Sequence, residues 1–172
     1  MPQRSPEELR TALLDQLAYL IDEIEALKPV IDQVPDGLQQ VKADATGLSL
    51  RETYGFIAAY DEQVVVPHLE RLLEEKHPVL AAVDAEALIA DARFNEQSAE
   101  VLLREVQRAR QDLLEVLRRL SAEDWKRTGM LGGEPHDVYA LTHALIQHDA
   151  DLLRAIGYHL EALMPGRGPA KH

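Results

Sequence analysis

The chain has 172 residues, of which 30 are acidic and 18 are basic, and its formal net charge is -12. This charge repels nucleic-acid phosphates and anionic membranes, so we expect neither as a partner. The absence of cysteine excludes disulfides, thiolate zinc sites and cysteine nucleophiles. No apolar run reaches the roughly 20 residues of a membrane span. The first residues, MPQRSPEELR, lack a signal-peptide pattern, and a cytoplasmic protein is expected.

The first predicted helix begins at Ser5, which is the expected N-cap, with Pro6 at the first helical position. Leucine and isoleucine then recur every three or four residues, which predicts one buried face. That face consists of Leu9, Leu13, Leu17, Leu20, Ile24 and Leu27. We expect the helix to lead into a loop at Pro29 and the segment VPDGLQQVKADATG.

The second predicted helix begins at Ser49, and Glu52 three residues later completes a capping box. Pro67 predicts a kink or break in this helix, because proline lacks the backbone N–H group. A short capped helix is expected to start at Asp84.

The third long helix is predicted over Asn95 to Leu120, with a core face formed by Leu102, Val106, Leu113, Leu117 and Leu120. A short turn with Trp125 and a loop with the sequence TGMLGGEPHD follow it. The last long helix is expected to begin at Pro135 or Asp137 and to run up to Met164.

Four long amphipathic helices without a strand pattern predict an all-α four-helix bundle. The long, partly helical connection between the second and third helices favours a crossover over simple up-down topology. We expect a single bundle domain over residues 1–164 and a disordered tail over residues 165–172.

Seven histidines raise the question of a metal site. His148 stands out because it lies on the apolar face of the last helix, in line with Leu145 and Leu152. A buried histidine needs partners for its ring nitrogens, so His148 is either a hydrogen-bonded core residue or a metal ligand that has lost its companions. His143 points about 140° away from His148 on the helix and is poorly placed to share an ion with it.

Three segments in order resemble the DinB/YfiT-like superfamily of four-helix-bundle proteins. They are GLSLRETYGFIAAYDEQVVVPHLERLL, LLREVQRARQDLLEVLRRLSAEDW and LTHALIQHDADLL. The resemblance implies a divalent metal bound by three histidines, one in the second helix and an HxxxH pair in the last. In this chain the three positions are occupied by Phe56, His148 and Leu152, so only one ligand is retained.

Two carboxylates offer an alternative ligand set beside His148. Glu52 lies one turn before Phe56, and Asp151 lies three residues after His148. Together the three side chains would form an oxygen-rich site suited to manganese, iron or zinc. Against this, Glu52 already has a capping role and Asp151 is expected to be solvated. We therefore expect no cofactor, with a divalent ion (zinc, nickel, manganese or iron) as the alternative.

Two functions follow from the resemblance, and whether the chain is catalytic stays open. The first is a DinB-like protein without the usual metal, which binds a small ligand or serves as a stress-associated scaffold. Its pocket would be lined by Tyr54, Phe56, Tyr60, His148 and Leu152. The second is an enzyme similar to metal-dependent thiol S-transferases, with a rebuilt metal site. A purely structural or partner-binding protein that dimerises through an exposed helix face is the remaining possibility. With any of these functions, the resemblance implies a homodimer that pairs through bundle faces.

Overall fold

The computed structural model describes residues 5–44, 47–90 and 92–166, which form a four-helix bundle beside a small sheet. Its α-helices are α1 (Pro6–Ile31), α2 (Asp36–Gln39), α3 (Leu50–Tyr60), α4 (Val66–Glu74), α5 (Ala85–Ala90), α6 (Ala99–Arg119) and α7 (Val138–Leu163). A π-helical turn (Asp61–Val65) joins α3 to α4, and two short 3₁₀ turns cover Phe94–Glu96 and Asp124–Lys126. Most of the predicted tail, residues 167–172, lies outside the described residues.

The four long helices pack in an order that differs from their order in the chain. Helix α1 packs against α6 and α7, and α3 packs against the same two helices. Consecutive long helices, α1 with α3 and α6 with α7, therefore stand diagonally across the bundle. Helices α3 and α6 are neighbours that run in the same direction, since Ser49 contacts Asn95 and Asp61 contacts Arg110. The long connection between α4 and α6 therefore returns the chain along the bundle, and the predicted bundle with a crossover is confirmed. No helix among the described ranges is both long and apolar enough to cross a bilayer.

Helix α1 has the predicted start but continues beyond its predicted end. Ser5 and Glu8 form a capping box around the first turn. The helix passes through Pro29 to Ile31, and the prediction that it leads into a loop at Pro29 was wrong. A proline this close to the end removes only one helical hydrogen bond, so the last turn persists. Leu9 in the first turn was predicted to be buried, but it is 40% exposed and lies outside the core.

The segment TGMLGGEPHD, which was predicted to be a loop, forms two strands instead. The structure contains β1 (Val79–Leu80), β2 (Thr128–Leu131) and β3 (Glu134–Asp137). Strands β2 and β3 form an antiparallel hairpin, and β1 pairs with β2 in parallel. Gly132 and Gly133 have φ values of 60° and 85°, which is the conformation that a tight type I′ hairpin turn requires. Pro135 is tolerated because β3 is an edge strand.

The helices on either side of this hairpin begin at side-chain caps. Asp137, rather than Pro135, is the N-cap of α7, and its carboxylate accepts the Ala140 N–H group at 2.8 Å. Ser98 is the N-cap of α6, three residues later than the predicted start at Asn95. The predicted core face of α6 is buried.

The second predicted helix continues past Pro67 instead of breaking there. The irregularity lies just before the proline, in the π-helical turn, where the Val66 N–H group donates to the Asp61 carbonyl. A π turn accommodates one extra residue within a helical path, and such turns occur frequently at functional sites. Pro67 then lies in the first turn of α4, where a proline costs little.

Gly55 allows the chain to pack closely against α3. A Cβ atom on Gly55 would lie 2.1 Å from the Phe94 ring, so no larger residue fits there without displacing the ring. The 3₁₀ turn before α6 therefore lies directly on α3, one residue before Phe56.

Candidate functional site

Three rings from two helices form a compact cluster in the bundle. Phe56 and Tyr60 lie one turn apart on α3, and His148 lies on α7. The ring centroids of Phe56 and His148 are 5.5 Å apart, and Tyr60 stacks on His148 at 4.4 Å with an interplanar angle of 20°. We call these three residues the aromatic cluster. The structure thus brings together Phe56 and His148, two of the three positions that the resemblance assigns to metal ligands.

His148 is a half-buried imidazole with an unused polar atom. Its Nδ1 is buried and has no hydrogen-bond partner in the part of the chain that the structure describes. Burial lowers the pKa of His148, while the Asp149 charge raises it and the Arg110 charge lowers it. The ring is therefore mainly neutral at pH 7 and offers one nitrogen lone pair.

The lowered pKa of His148 predicts a contribution to acid sensitivity. The folded-state pKa lies below the ordinary 6.5, so the unfolded chain binds a proton first. The stability contribution of the neutral ring is fully present above this value and is lost as the pH falls through the folded-state pKa. Between about pH 7 and about pH 5, we expect wild type to lose more stability than His148→Gln. Urea denaturation across this range measures the difference, and equal losses would contradict the prediction.

Leu152 and Tyr54, the other two predicted pocket residues, both lie against the hydrophobic core. Leu152, the third assigned ligand position, is half-buried and packs against the core around Tyr54. Tyr54 itself is fully buried, and its hydroxyl has no partner among the described residues. Burial raises the pKa of Tyr54. The structure therefore places Tyr54 within the hydrophobic core.

The two carboxylates considered as substitute ligands both have other partners. Glu52 accepts the Ser49 N–H group at 2.9 Å in the capping box, and its second oxygen lies 3.5 Å from the Lys42 ammonium. Asp151 is exposed and pairs with Arg154 at 2.9 Å. Within the described residues, no group of three or more histidine, aspartate or glutamate side chains is arranged to hold a metal ion. The residues present therefore do not fit a three-ligand metal centre.

A buried ion cluster directly beside the aromatic cluster was missed by the sequence analysis. Arg110 on α6 is completely buried, and its guanidinium contacts Asp61 at 2.8 and 3.2 Å. The same guanidinium contacts Asp149 at 2.7 and 3.1 Å. Asp61 follows Tyr60 in the chain, and Asp149 follows His148. The ion cluster therefore holds the backbone next to both stacked rings.

The ion cluster connects all four long segments of the bundle. Arg110 also donates to the Leu17 carbonyl of α1 at 3.2 Å, in addition to its partners after α3 and on α7. The hydrophobic core is divided at this level into one part around Tyr54 and another around Trp125. A guanidinium with hydrogen-bond partners on every long segment fixes the positions of these helices along the bundle axis, because buried polar groups must keep their partners.

The ion cluster has two carboxylates for one guanidinium and thus an uncompensated negative charge. Burial raises the pKa of Asp61 to about 6, with the Arg110 charge opposing the rise and the Asp149 charge adding to it. The cluster can therefore take up a proton in mildly acidic solution.

The sequence does contain a signal for the burial of Arg110. Arg110 lies between Val106 and Leu113 on the buried face of α6, at the three-four spacing of that face. A charged residue on an apolar face, rather than opposite it, predicts a buried partner of opposite charge.

Comparisons with known proteins agree with this architecture. A family model described as the DinB superfamily matches residues 25–156. The solved structure of YfiT from Bacillus subtilis is similar with a TM-score of 0.73 and 14% sequence identity, covering 95% of this chain and 89% of that chain. YfiT is described as a probable metal-dependent hydrolase with an unusual four-helix bundle topology. At this identity the similarity shows a shared fold. The search of curated proteins found no match.

Proposed function

Because the chain belongs to the DinB superfamily, we propose that it is a metal-independent member that binds a small organic molecule beside the aromatic cluster. One observation carries the proposal. The Phe56 ring, which has no donor atom, packs against His148 with a centroid distance of 5.5 Å. The space that a second ligand and an ion would need beside His148 is filled by an apolar side chain.

The chemistry of the three assigned positions supports this reading. A catalytic zinc ion is usually held by three protein ligands and keeps one open position. Phe56 and Leu152 have only carbon in their side chains, which leaves His148 as a single ligand. Recruiting Glu52 and Asp151 would break the Ser49 capping box and the Arg154 ion pair. No observation favours that rearrangement.

The remaining polar atoms support binding of an organic molecule. A buried polar atom without a partner costs about 1–3 kcal/mol, and a ligand that satisfies it recovers part of this cost. His148 Nδ1 is such an atom within the described residues. Tyr60 holds the imidazole in place by stacking, so the nitrogen keeps its orientation.

Metal content is the direct test of the proposal. We expect tag-free protein, dialysed under mild conditions, to contain far less than one equivalent of zinc, nickel, manganese or iron. Titration calorimetry with Zn²⁺ and Ni²⁺ should show only weak surface binding, and His148→Ala should behave like wild type. Near-stoichiometric metal in wild type that is lost in His148→Ala would refute a metal-independent centre.

A further inference from the structure

We propose that a cleft next to Tyr60 binds an uncharged aromatic molecule with a hydroxyl or amino group that donates a hydrogen bond. We call it the side cleft. It consists of an inner chamber of about 60 Å³ and an outer chamber of about 230 Å³, which share Val64, His68 and Val83. The inference rests on the proposed function, since it names the class of ligand that such a protein would take.

The lining of the side cleft carries almost no charge. Apart from Tyr60 and His68, the inner chamber is lined only by aliphatic side chains, namely Val64, Val65, Val83, Leu131, Leu141, Ala144 and Leu145. The outer chamber adds one charged residue, Asp84, whose carboxylate already accepts the Ala87 N–H group at the start of α5. Burying a charged ligand against such walls is costly, so the lining selects uncharged molecules.

The π-helical turn shapes the side cleft. Val64 and Val65 belong to this turn and line the inner chamber. Asp61 begins the same turn and is held by Arg110 through two contacts. The wall is therefore fixed by the buried ion cluster, and a fixed wall lowers the entropic cost of binding.

His68 lines both chambers and is the source of the ligand's hydrogen bond in this proposal. Its Nε2 lies 3.1 Å from the Ala81 carbonyl, and a carbonyl only accepts hydrogen bonds, so Nε2 carries the ring hydrogen. Burial lowers the pKa of His68, which keeps the ring neutral at pH 7. In a neutral ring with hydrogen on Nε2, Nδ1 is an acceptor. A ligand that uses this atom must donate an O–H or N–H hydrogen.

The chamber sizes set the scale of the ligand. A dry protein cavity of about 150 Å³ holds one benzene molecule. The inner chamber, at about 60 Å³, is smaller than this, whereas the outer chamber is larger. A single aromatic ring would therefore extend from the outer chamber into the inner one, past His68.

Four small probes separate the features of this proposal. Phenol is uncharged and has a donor, toluene lacks the donor, and benzoate and benzylammonium carry opposite charges. With a metal chelator present, we expect phenol to shift the backbone amide NMR signals of residues 63–66, 68 and 81–84. Toluene should bind about tenfold more weakly, by the loss of one hydrogen bond. Equal binding of the charged probes at these residues would overturn the proposal.

Two alanines of α7 provide a matched pair of variants. Ala144 lines the inner chamber and Ala150 lies outside it, and both are exposed. We expect Ala144→Leu to weaken phenol binding by at least about tenfold and Ala150→Leu to leave it unchanged. His68→Leu should remove the preference for phenol over toluene. Circular dichroism checks that each variant is folded.

The outcomes distinguish the two proposals. Phenol binding that survives Ala144→Leu would place the probe elsewhere and refute the side cleft, whatever the metal content. Stoichiometric metal at His148 together with blocked phenol binding in Ala144→Leu would refute only the metal-independent function.

Discussion

Replacing Arg110 by methionine is expected to lower the free energy of unfolding by about 3–5 kcal/mol, the typical cost of removing one partner from a buried ion pair. Asp61 and Asp149 are 1% and 6% exposed, and both rely on this guanidinium. Without it, two carboxylates stay buried with no cation between them. Urea denaturation at neutral pH measures the loss. The loss should shrink as the pH falls, because protonation removes the uncompensated charge.

Arg108 provides the matched control on the same helix. It pairs with Glu62, Glu105 and Asp112, so it has more ionic partners than Arg110. Its side chain is 52% exposed, and solvent screens these pairs. We expect Arg108→Met to cost less than about 1 kcal/mol. Equal losses for Arg108→Met and Arg110→Met would contradict the assignment of Arg110 as a central structural residue.

A triple variant separates charge from packing. Replacing Arg110 by methionine and both Asp61 and Asp149 by leucine removes every charge of the ion cluster, and hydrophobic replacement of a whole ion cluster is often neutral or stabilising. We expect the triple variant to be more stable than Arg110→Met alone. If the ion cluster also sets the positions of the helices along the bundle axis, the triple variant should lose the close stacking of Tyr60 on His148. The NMR chemical shifts of both rings would report this loss.

Local rules were sufficient to predict the long helices of this protein, whereas the short helix α2 lies in a segment that was predicted to be a loop. Ser5, Ser49 and Asp84 mark helix starts because their side chains accept backbone N–H groups, an interaction within three residues. The apolar spacing of α6 likewise depends only on helical geometry. Helix ends were less certain, as at Pro29, because packing can outweigh the loss of one hydrogen bond.

The features that were missed depend on contacts between distant segments. Strand β1 pairs with β2 about 50 residues further along the chain, and two residues of β1 carry no alternation to detect. The Asp61–Arg110 pair likewise spans 49 residues. The Gly132-Gly133 pair favours a turn, but it indicates a β-hairpin only when strands flank it. The second flanking strand contains a proline, which hides the strand pattern.

The candidate site was partly predictable for a different reason. Phe56 and His148 were paired through the family resemblance, and the structure brings their rings to 5.5 Å. Tyr54 was assigned to the same pocket. Residues two apart on a helix point in nearly opposite directions, so Tyr54 enters the core instead.

Replacing Phe56 and Leu152 together by histidine is expected to create a divalent metal site with His148. Two imidazoles on one tetrahedral ion, each bonded at about 2 Å, place their ring centroids on the order of 5 Å apart. The Phe56 and His148 centroids, at 5.5 Å, already have nearly this spacing. Position 152 lies one turn after His148 on α7 and completes an HxxxH pair. We expect Zn²⁺ binding with a Kd of about 1 μM or lower.

Metal binding by this double variant can be measured through its free energy of unfolding and through the visible absorption of bound cobalt. Phe56 is 6% exposed, so placing an imidazole there should cost the metal-free variant about 2–4 kcal/mol. Zinc at about 100 times its Kd should return about 2.7 kcal/mol of this loss. Cobalt in place of zinc would report a tetrahedral site by its visible absorption.

The controls for the double variant use the same positions. Phe56→Gln with Leu152→Gln introduces two polar side chains without imidazoles and should bind no metal. Each single histidine variant has two ligands and should bind much more weakly than the double variant. His148→Ala in the double variant should abolish tight binding, which excludes the surface histidines as the source. A folded double variant with no greater affinity than the single variants would show that positions 56 and 152 are not equivalent to the family's ligands. An aromatic cluster in place of a metal centre would then be refuted, while the buried ion cluster and the side cleft would be unaffected.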